Sequence, residues 1–177
     1  MKRIAKFMKV SPEQFAEGWK DTFGDTDTET LEKIYEEIKL PVRATSGSAG
    51  YDFFSPLSFE LKPGETIKIP TGIRVQMEEG WVLKLYPRSG LGFKYRLQLN
   101  NTVGIIDSDY FYSDNEGHMF IKITNDSHEG KTMQVEAGTG FAQGIFVEYG
   151  ITVDDDVCQV RNGGFGSTTK KKKKKKE

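Results

Sequence analysis

Two hydrophobic periodicities divide the chain near Pro41. Before it, Phe15, Trp19 and Phe23 recur every four residues behind Ser11-Pro12-Glu13-Gln14. A serine cap, a proline at the first helical position and a glutamine three residues after the cap predict a helix start with a capping box. A second helix is predicted from Asp27 or Thr28. Its apolar residues Leu31, Ile34, Tyr35 and Ile38 fall at i, i+3, i+4 and i+7 on one face, and Pro41 stops it. Residues 4–10, in front of both helices, read as a first strand.

Beyond Pro41 the pattern shortens to β-type runs at 57–61, 66–69, 73–75, 81–86, 97–99, 119–124, 132–135 and 142–149. Glycine, proline or Asn/Asp clusters such as Lys62-Pro63-Gly64-Glu65 separate them. Short strands at close, fairly regular spacing predict an all-β sandwich, jelly roll or barrel, and periodicity alone does not choose among these. The helical stretch at about 11–40 then reads as an insert on a β-domain, serving as packing or as a partner surface. No internal repeat is visible.

Composition narrows the class. A chain of 177 residues is long enough to bury one core, and 36% apolar with 29% charged residues fits a soluble globular protein. No apolar run approaches the ~20 residues that span a bilayer, so no membrane is expected. The start, Met1-Lys2-Arg3-Ile4-Ala5-Lys6, is basic but lacks the apolar stretch of a secretory signal. A lone cysteine, Cys158, has no internal disulfide partner, which predicts a cytoplasmic location. His118 and His128 stand too isolated to suggest a metal site. Seven lysines at 170–176 against Glu177 give the tail +6, which leaves −7 on residues 1–169 of a chain whose total is −1. The like-charged tail is expected to be disordered, and the acidic body is a poor surface for nucleic acid.

Candidate chemistry sits in three glycine-containing segments: Pro87-Arg88-Ser89-Gly90, Gly104-Ile105-Ile106-Asp107-Ser108-Asp109-Tyr110, and Gly163-Gly164-Phe165-Gly166-Ser167-Thr168. Arginine and serine beside glycine suit phosphate oxygens, because glycine lets backbone N–H groups approach closely. Aspartates beside a tyrosine suit metal-assisted attack by water. A phenylalanine between glycines can lie flat on a base. Together they point to a nucleotide phosphohydrolase. Taken singly, each has a plainer reading: Asp52 as a turn residue, Arg88 in a structural ion pair, Tyr110 and Phe165 as packing beside turns. Asp109 has no role that spacing assigns, beyond turning the hairpin or binding water.

In order along the chain, five segments resemble the motifs of the homotrimeric dUTP diphosphatase (dUTPase) family. They are Ser48-Ala49-Gly50-Tyr51-Asp52-Phe53, Pro87-Arg88-Ser89-Gly90-Leu91-Gly92, Asn101-Thr102-Val103-Gly104-Ile105-Ile106-Asp107-Ser108-Asp109-Tyr110, Phe141-Ala142-Gln143-Gly144 and Gly163-Gly164-Phe165-Gly166-Ser167-Thr168. The likeness covers about residues 41–168. It implies a jelly-roll (β-clip) domain over 1–169 whose sites lie between three subunits, with 158–169 of one chain closing over another's site and 170–177 as tail.

The resemblance also implies roles. Asp107 would orient and deprotonate water for attack on the α-phosphorus of dUTP, with release of pyrophosphate. Asp52 would help hold hydrated Mg²⁺ beside the triphosphate. Ser89, Arg88 and the Gly90 backbone would bind the phosphate chain, and Gln143 would contact the phosphates or the water. Asn101 and the backbone of Ile105, Ile106 and Asp107 would pair with the uracil edge in a slot too tight for thymine's methyl group. Tyr110 would pack on deoxyribose. Phe165 would stack on uracil, flanked by Gly166 and Ser167, and Arg161 would reach the γ-phosphate.

Four departures from the family pattern are visible. Phe111-Tyr112 and a polar stretch to His118 replace the usual Arg-Gly, and Gly140 stands where an arginine is common. The interval from Arg161 to Phe165 is one residue shorter, and Thr169 replaces a final glycine. Two other functions share this fold: dCTP deamination and a dUTP-responsive regulatory binding protein. The intact Asp107, Ser89 and Gln143 favour dUTP hydrolysis over both.

Overall fold

The computed structural model describes residues 1–159 and Arg161. The expected closing motif with Phe165, Gly166 and Ser167, and the lysine tail, lie outside the described residues.

Strands β1 (Ala5–Lys9) and β6 (Ile73–Met77) pair with each other, as do β4 (Phe59–Leu61) and β11 (Met133–Val135). A three-stranded sheet runs β5 (Thr66–Pro70), β10 (Phe120–Asn125), β8 (Leu97–Leu99). The largest sheet has the order β2 (Val42–Arg43), β3 (Tyr51–Phe54), β12 (Gly140–Glu148), β7 (Trp81–Pro87), β9 (Gly104–Ile106). Pairing is antiparallel throughout the described residues. Alternation sets which face goes inward: Ile121 and Ile123 are buried while Lys122 between them is exposed, and Leu83 and Leu85 are buried on β7. Asn125 is buried but satisfied, its amide donating to Leu61 O and Lys131 O at 2.8 and 2.9 Å.

Both helices read from the sequence form, as α1 (Pro12–Phe23) and α2 (Thr28–Glu37). Phe15 and Trp19 pack inward, while Phe23 is 39% exposed and contributes less than its spacing predicts. Helix α2 stops four residues before Pro41, where Lys9 Nζ donates to the Tyr35 and Glu36 carbonyls. Half of the predicted capping box is made: Ser11 Oγ accepts from Gln14 N–H at 3.2 Å. The other half is taken over by a tertiary contact. The Ser11 N–H donates to Glu116 Oε2 at 2.8 Å and the Ser11 hydroxyl to Oε1 at 2.6 Å, so a carboxylate 105 residues away completes the cap. The sequence did not predict a third helix, α3 (Ser89–Tyr95), which follows directly on β7. The domain is therefore mostly rather than wholly β.

His118 is completely buried beneath α1. Its Nε2 accepts from Gly72 N–H at 2.9 Å, so the neutral ring carries its proton on Nδ1, which has no partner among the described residues. Burial pushes its pKa down to about 4, against the opposing pull of Glu116. Burial also disfavours ionised Glu116, but the Ser11 hydrogen bonds and the Arg74 charge outweigh it and hold its pKa below the usual value. For His118 the unfolded chain takes up the proton first. Its contribution to stability is whole above pH 6.5 and is lost as pH falls from there toward about 4. The loss is on the order of 3 kcal/mol. Glu116 adds a further loss below its unfolded pKa. Urea midpoints measured from pH 7.5 to 4 should fall through that window, and His118→Phe should flatten the slope between pH 6.5 and 5.

Candidate active site

The predicted site residues fall into two groups at opposite ends of β7. At the C-terminal end, Gln143 on β12 lies between Asp52 on β3 and Tyr86 on β7. Its Nε2 donates to Pro87 O at 3.2 Å. The amide oxygen occupies space left by Gly50: a Cβ there would stand 2.9 Å from Oε1. Asp52 pairs with Arg88 at 3.3 Å, and Ser89 and Gly90 follow, exposed, at the start of α3. Gly140 explains one departure from the family pattern. Its missing side chain makes room for Arg88, whose Nη1 would lie 3.1 Å from a Cβ at 140 and which leans toward the Gly140 carbonyl at 3.5 Å. A hollow of about 530 Å³ opens beside this group, bordered by Pro87, Ser89, Phe93, Gln143 and Ile145. Phe93 is 95% exposed on its rim.

At the other end, β9 leads into Asp107 and a 3₁₀ turn over Ser108–Tyr112. Arg161 binds both aspartates of this segment, Nη2 to Asp107 at 2.5 Å and Nε to Asp109 at 2.9 Å. Its guanidinium lies 5.8 Å from the centre of the Tyr110 ring. The arginine is 16% exposed and each aspartate side chain 48%. Tyr110 is 4% exposed, with its hydroxyl donating to His118 O at 2.7 Å. Burial raises its pKa. Ile105 is half exposed and Ile106 buried, as alternation on an edge strand requires. Asn101 sits on the turn before β9, beside a cavity of about 620 Å³ between α1 and β10.

The ladder fixes how far apart these groups are. Tyr86 pairs with Gln143 on one side of β7, and Leu83 pairs with Ile106 on the other. Three residues of strand, two inter-strand spacings and the further step to Asp107 separate Gln143 from Asp107 by roughly 15 Å. One chain thus brings Asp52, Arg88, Ser89, Gly90 and Gln143 together, and separately Asp107, Tyr110 and Arg161, but does not join the two; Ile105 and Ile106 lie along β9 between them, and Asn101 precedes that strand. Two roles escaped the sequence. Asp109 holds Arg161, which no local spacing signals, since the partner is 52 residues away. Gly50 clears the Gln143 amide, and its place two residues before Asp52 was the one available hint.

Comparison with known proteins bears on both groups. The dUTPase family model matches residues 36–169, so α1 and most of α2 precede the matched stretch. The chain is 42% identical over 135 residues to the deoxyuridine 5'-triphosphate nucleotidohydrolase of Lactococcus lactis, covering 74% of this chain and 88% of that one. It is 38% identical over 142 residues to the enzyme of that name from Escherichia coli, covering 76% and 89%. The crystal structure of the dUTPase from Streptococcus mutans superposes with a TM-score of 0.60 at 33% identity, covering 82% of this chain and 97% of that one. On these matches the chain belongs to the dUTPase family.

Proposed function

We propose that this chain hydrolyses dUTP to dUMP and pyrophosphate as a trimer, each site forming where the Gln143 group of one copy meets the Asp107 group of another. The separation of those groups along β7 carries this reading. A base must reach its water at about 2.6–3.2 Å, and the water must stand about 3–3.5 Å from phosphorus. A gap of roughly 15 Å within one chain is far too wide for that. A second copy closes it.

In the assembled site the Ser89 hydroxyl and the Gly90 N–H donate to phosphate oxygens, and Arg88 supplies positive charge beside them. Asp107 accepts a proton from water as the water oxygen bonds to the α-phosphorus. The bond from that phosphorus to its bridging oxygen breaks, and pyrophosphate departs with the electron pair. Gln143 contacts the phosphates or the water from a position fixed by Pro87 O and Gly50. Arg161 pairs with Asp107 and Asp109 until a γ-phosphate draws the guanidinium away and leaves Asp107 able to act as base.

The donor set fits Mg²⁺ in one way. Among the described residues no three acidic, histidine or cysteine side chains gather as a metal cage. A single carboxylate, Asp52, beside Arg88 suits a hydrated ion carried by the triphosphate, with Asp52 accepting from its waters. When bound, the ion offsets charge on the phosphate oxygens. At the base, β9 is the edge of its sheet, so backbone groups on its outer side are open to a uracil edge beside Asn101. Tyr110 forms the wall toward the deoxyribose. Phe165, with Gly166 and Ser167, would cover the base from a segment outside the described residues. No described helix is long and apolar enough to cross a membrane, and the reading places the enzyme in the cytoplasm.

Pyrophosphate release with Mg²⁺ should be fast for dUTP and slow for dTTP, dCTP and UTP, without ammonia release from dCTP. Asp107→Asn should lower the rate by about 10²–10⁴. The division of the site has a sharper test. Asp107→Asn and Ser89→Ala chains, each inactive alone, should regain about a quarter of wild-type activity when refolded together at equal ratio, since each site draws one half from each copy. No recovery in mixed oligomers would refute the shared site. Gly50→Ala should push the Gln143 amide aside and lower kcat about tenfold or more with an unchanged melting temperature.

A further inference from the structure

The segment between Tyr110 and β10, where this chain departs from the family pattern, folds back onto Tyr110 from behind. Asn115 Nδ2 donates to the Tyr110 hydroxyl at 2.9 Å while that hydroxyl donates to His118 O. Asn115 Oδ1 accepts from Gly117 N–H at 3.2 Å, closing a tight turn. Within it Glu116 is held at φ +56°, a left-handed conformation that costs a non-glycine residue about 1 kcal/mol or more. Gly117, at φ +72°, comes so near the Tyr110–Phe111 backbone that a Cβ would lie 2.8 Å from Tyr110 O.

The Glu116 carboxylate holds this turn in place. It takes both donors of Ser11 at the head of α1 and pairs with Arg74 at 3.6 Å. Arg74 in turn donates to Phe111 O at 2.7 Å and lies 3.7 Å over the Phe111 ring. A continuous set of contacts therefore runs from α1 through Glu116 and Asn115 to the hydroxyl of Tyr110.

We propose that Asn115 and Glu116 are positioning residues for sugar discrimination: anchored on Ser11 of α1, they hold the Tyr110 ring so that it cannot yield to a 2′-hydroxyl. The inference rests on the reading above that Tyr110 walls the deoxyribose. Rejecting one extra oxygen by contact requires a wall that does not give by an ångström, because a ring that moves that far accepts the larger sugar. Two hydrogen bonds at the far end of the ring, made to a turn pinned on a helix, supply that stiffness. The chemistry at phosphorus needs none of it.

The test is kcat/KM for UTP and dUTP measured side by side on full-length protein. Asn115→Ala should raise the UTP:dUTP ratio about tenfold, with kcat for dUTP within about twofold of wild type. Glu116→Ala should move the ratio in the same direction. Tyr110→Phe should raise it too, and the Asn115→Ala/Tyr110→Phe double variant should not exceed Tyr110→Phe alone, because loss of the hydroxyl already removes the bond that Asn115 makes. Asn115→Ser replaces Asn115→Ala if the latter does not fold. An unchanged ratio in folded, active variants would overturn the inference, as would a parallel fall for both substrates, the mark of a merely structural role. Wild-type protein that leaves dUTP intact would overturn the function itself, and this inference with it.

Discussion

Strand β7 has a partner along each side, and its register governs where everything else stands. It meets β12 over seven rows, from Trp81–Glu148 to Pro87–Ala142, and β9 over three. Register in such a strand is set by what it buries, since a slip of one residue would turn every side chain to the opposite face. Leu83 and Leu85, both essentially unexposed, make that slip prohibitively costly. Leu83 pairs with Ile106 on β9, and the strand that the two leucines lock in place sets Gln143 toward one end and Asp107 toward the other. The apolar core thereby acts as a ruler for the candidate polar groups, and the separation it sets is what the proposed shared site rests on.

Each group of candidate residues carries its own counter-charge. Arg88 covers Asp52, and Arg161 covers Asp107 and Asp109. Three uncovered carboxylates on a body of net charge −7 would repel a polyanion; pairing with two arginines cuts their sum from −3 to −1 and weakens that repulsion. Such partly exposed pairs contribute little to stability, so exchanging a carboxylate for a phosphate oxygen on the same guanidinium costs little and gains a bidentate contact. Arg161 illustrates the arrangement best. It occupies Asp107, the base of the proposed mechanism, and in that reading a substrate phosphate is the natural competitor for it.

Sequence pattern revealed the helices and most strands because their signals are local: a serine–proline start, an i, i+3, i+4, i+7 stripe, alternation bounded by glycine. The motifs disclosed the family. What stayed hidden depended on distant partners. The glutamine in Ser11-Pro12-Glu13-Gln14 predicted a complete capping box, but the serine's own donors went to Glu116, whose proximity no local rule contains. Helix α3 was masked by the glycines of its motif, which disfavour helix on propensity alone. Gly140 read as the loss of a charge, whereas in three dimensions it is space for Arg88.

Tyr110 is where two sets of contacts meet. On its ring face lies the Arg161 guanidinium, tied to Asp107 and Asp109. At its hydroxyl stand His118 O and Asn115, tied through Glu116 to a helix outside the family's matched stretch. The ring can therefore be stiffened from behind without touching the groups in front. A replacement of the usual Arg-Gly after Tyr110 that merely lengthened a loop would have cost ordering entropy for nothing. Here the replacement caps a helix, satisfies a tyrosine hydroxyl and holds a left-handed glutamate, three ends met by one short turn. That convergence argues that α1 and the 111–118 segment act together as the brace of one wall of the site.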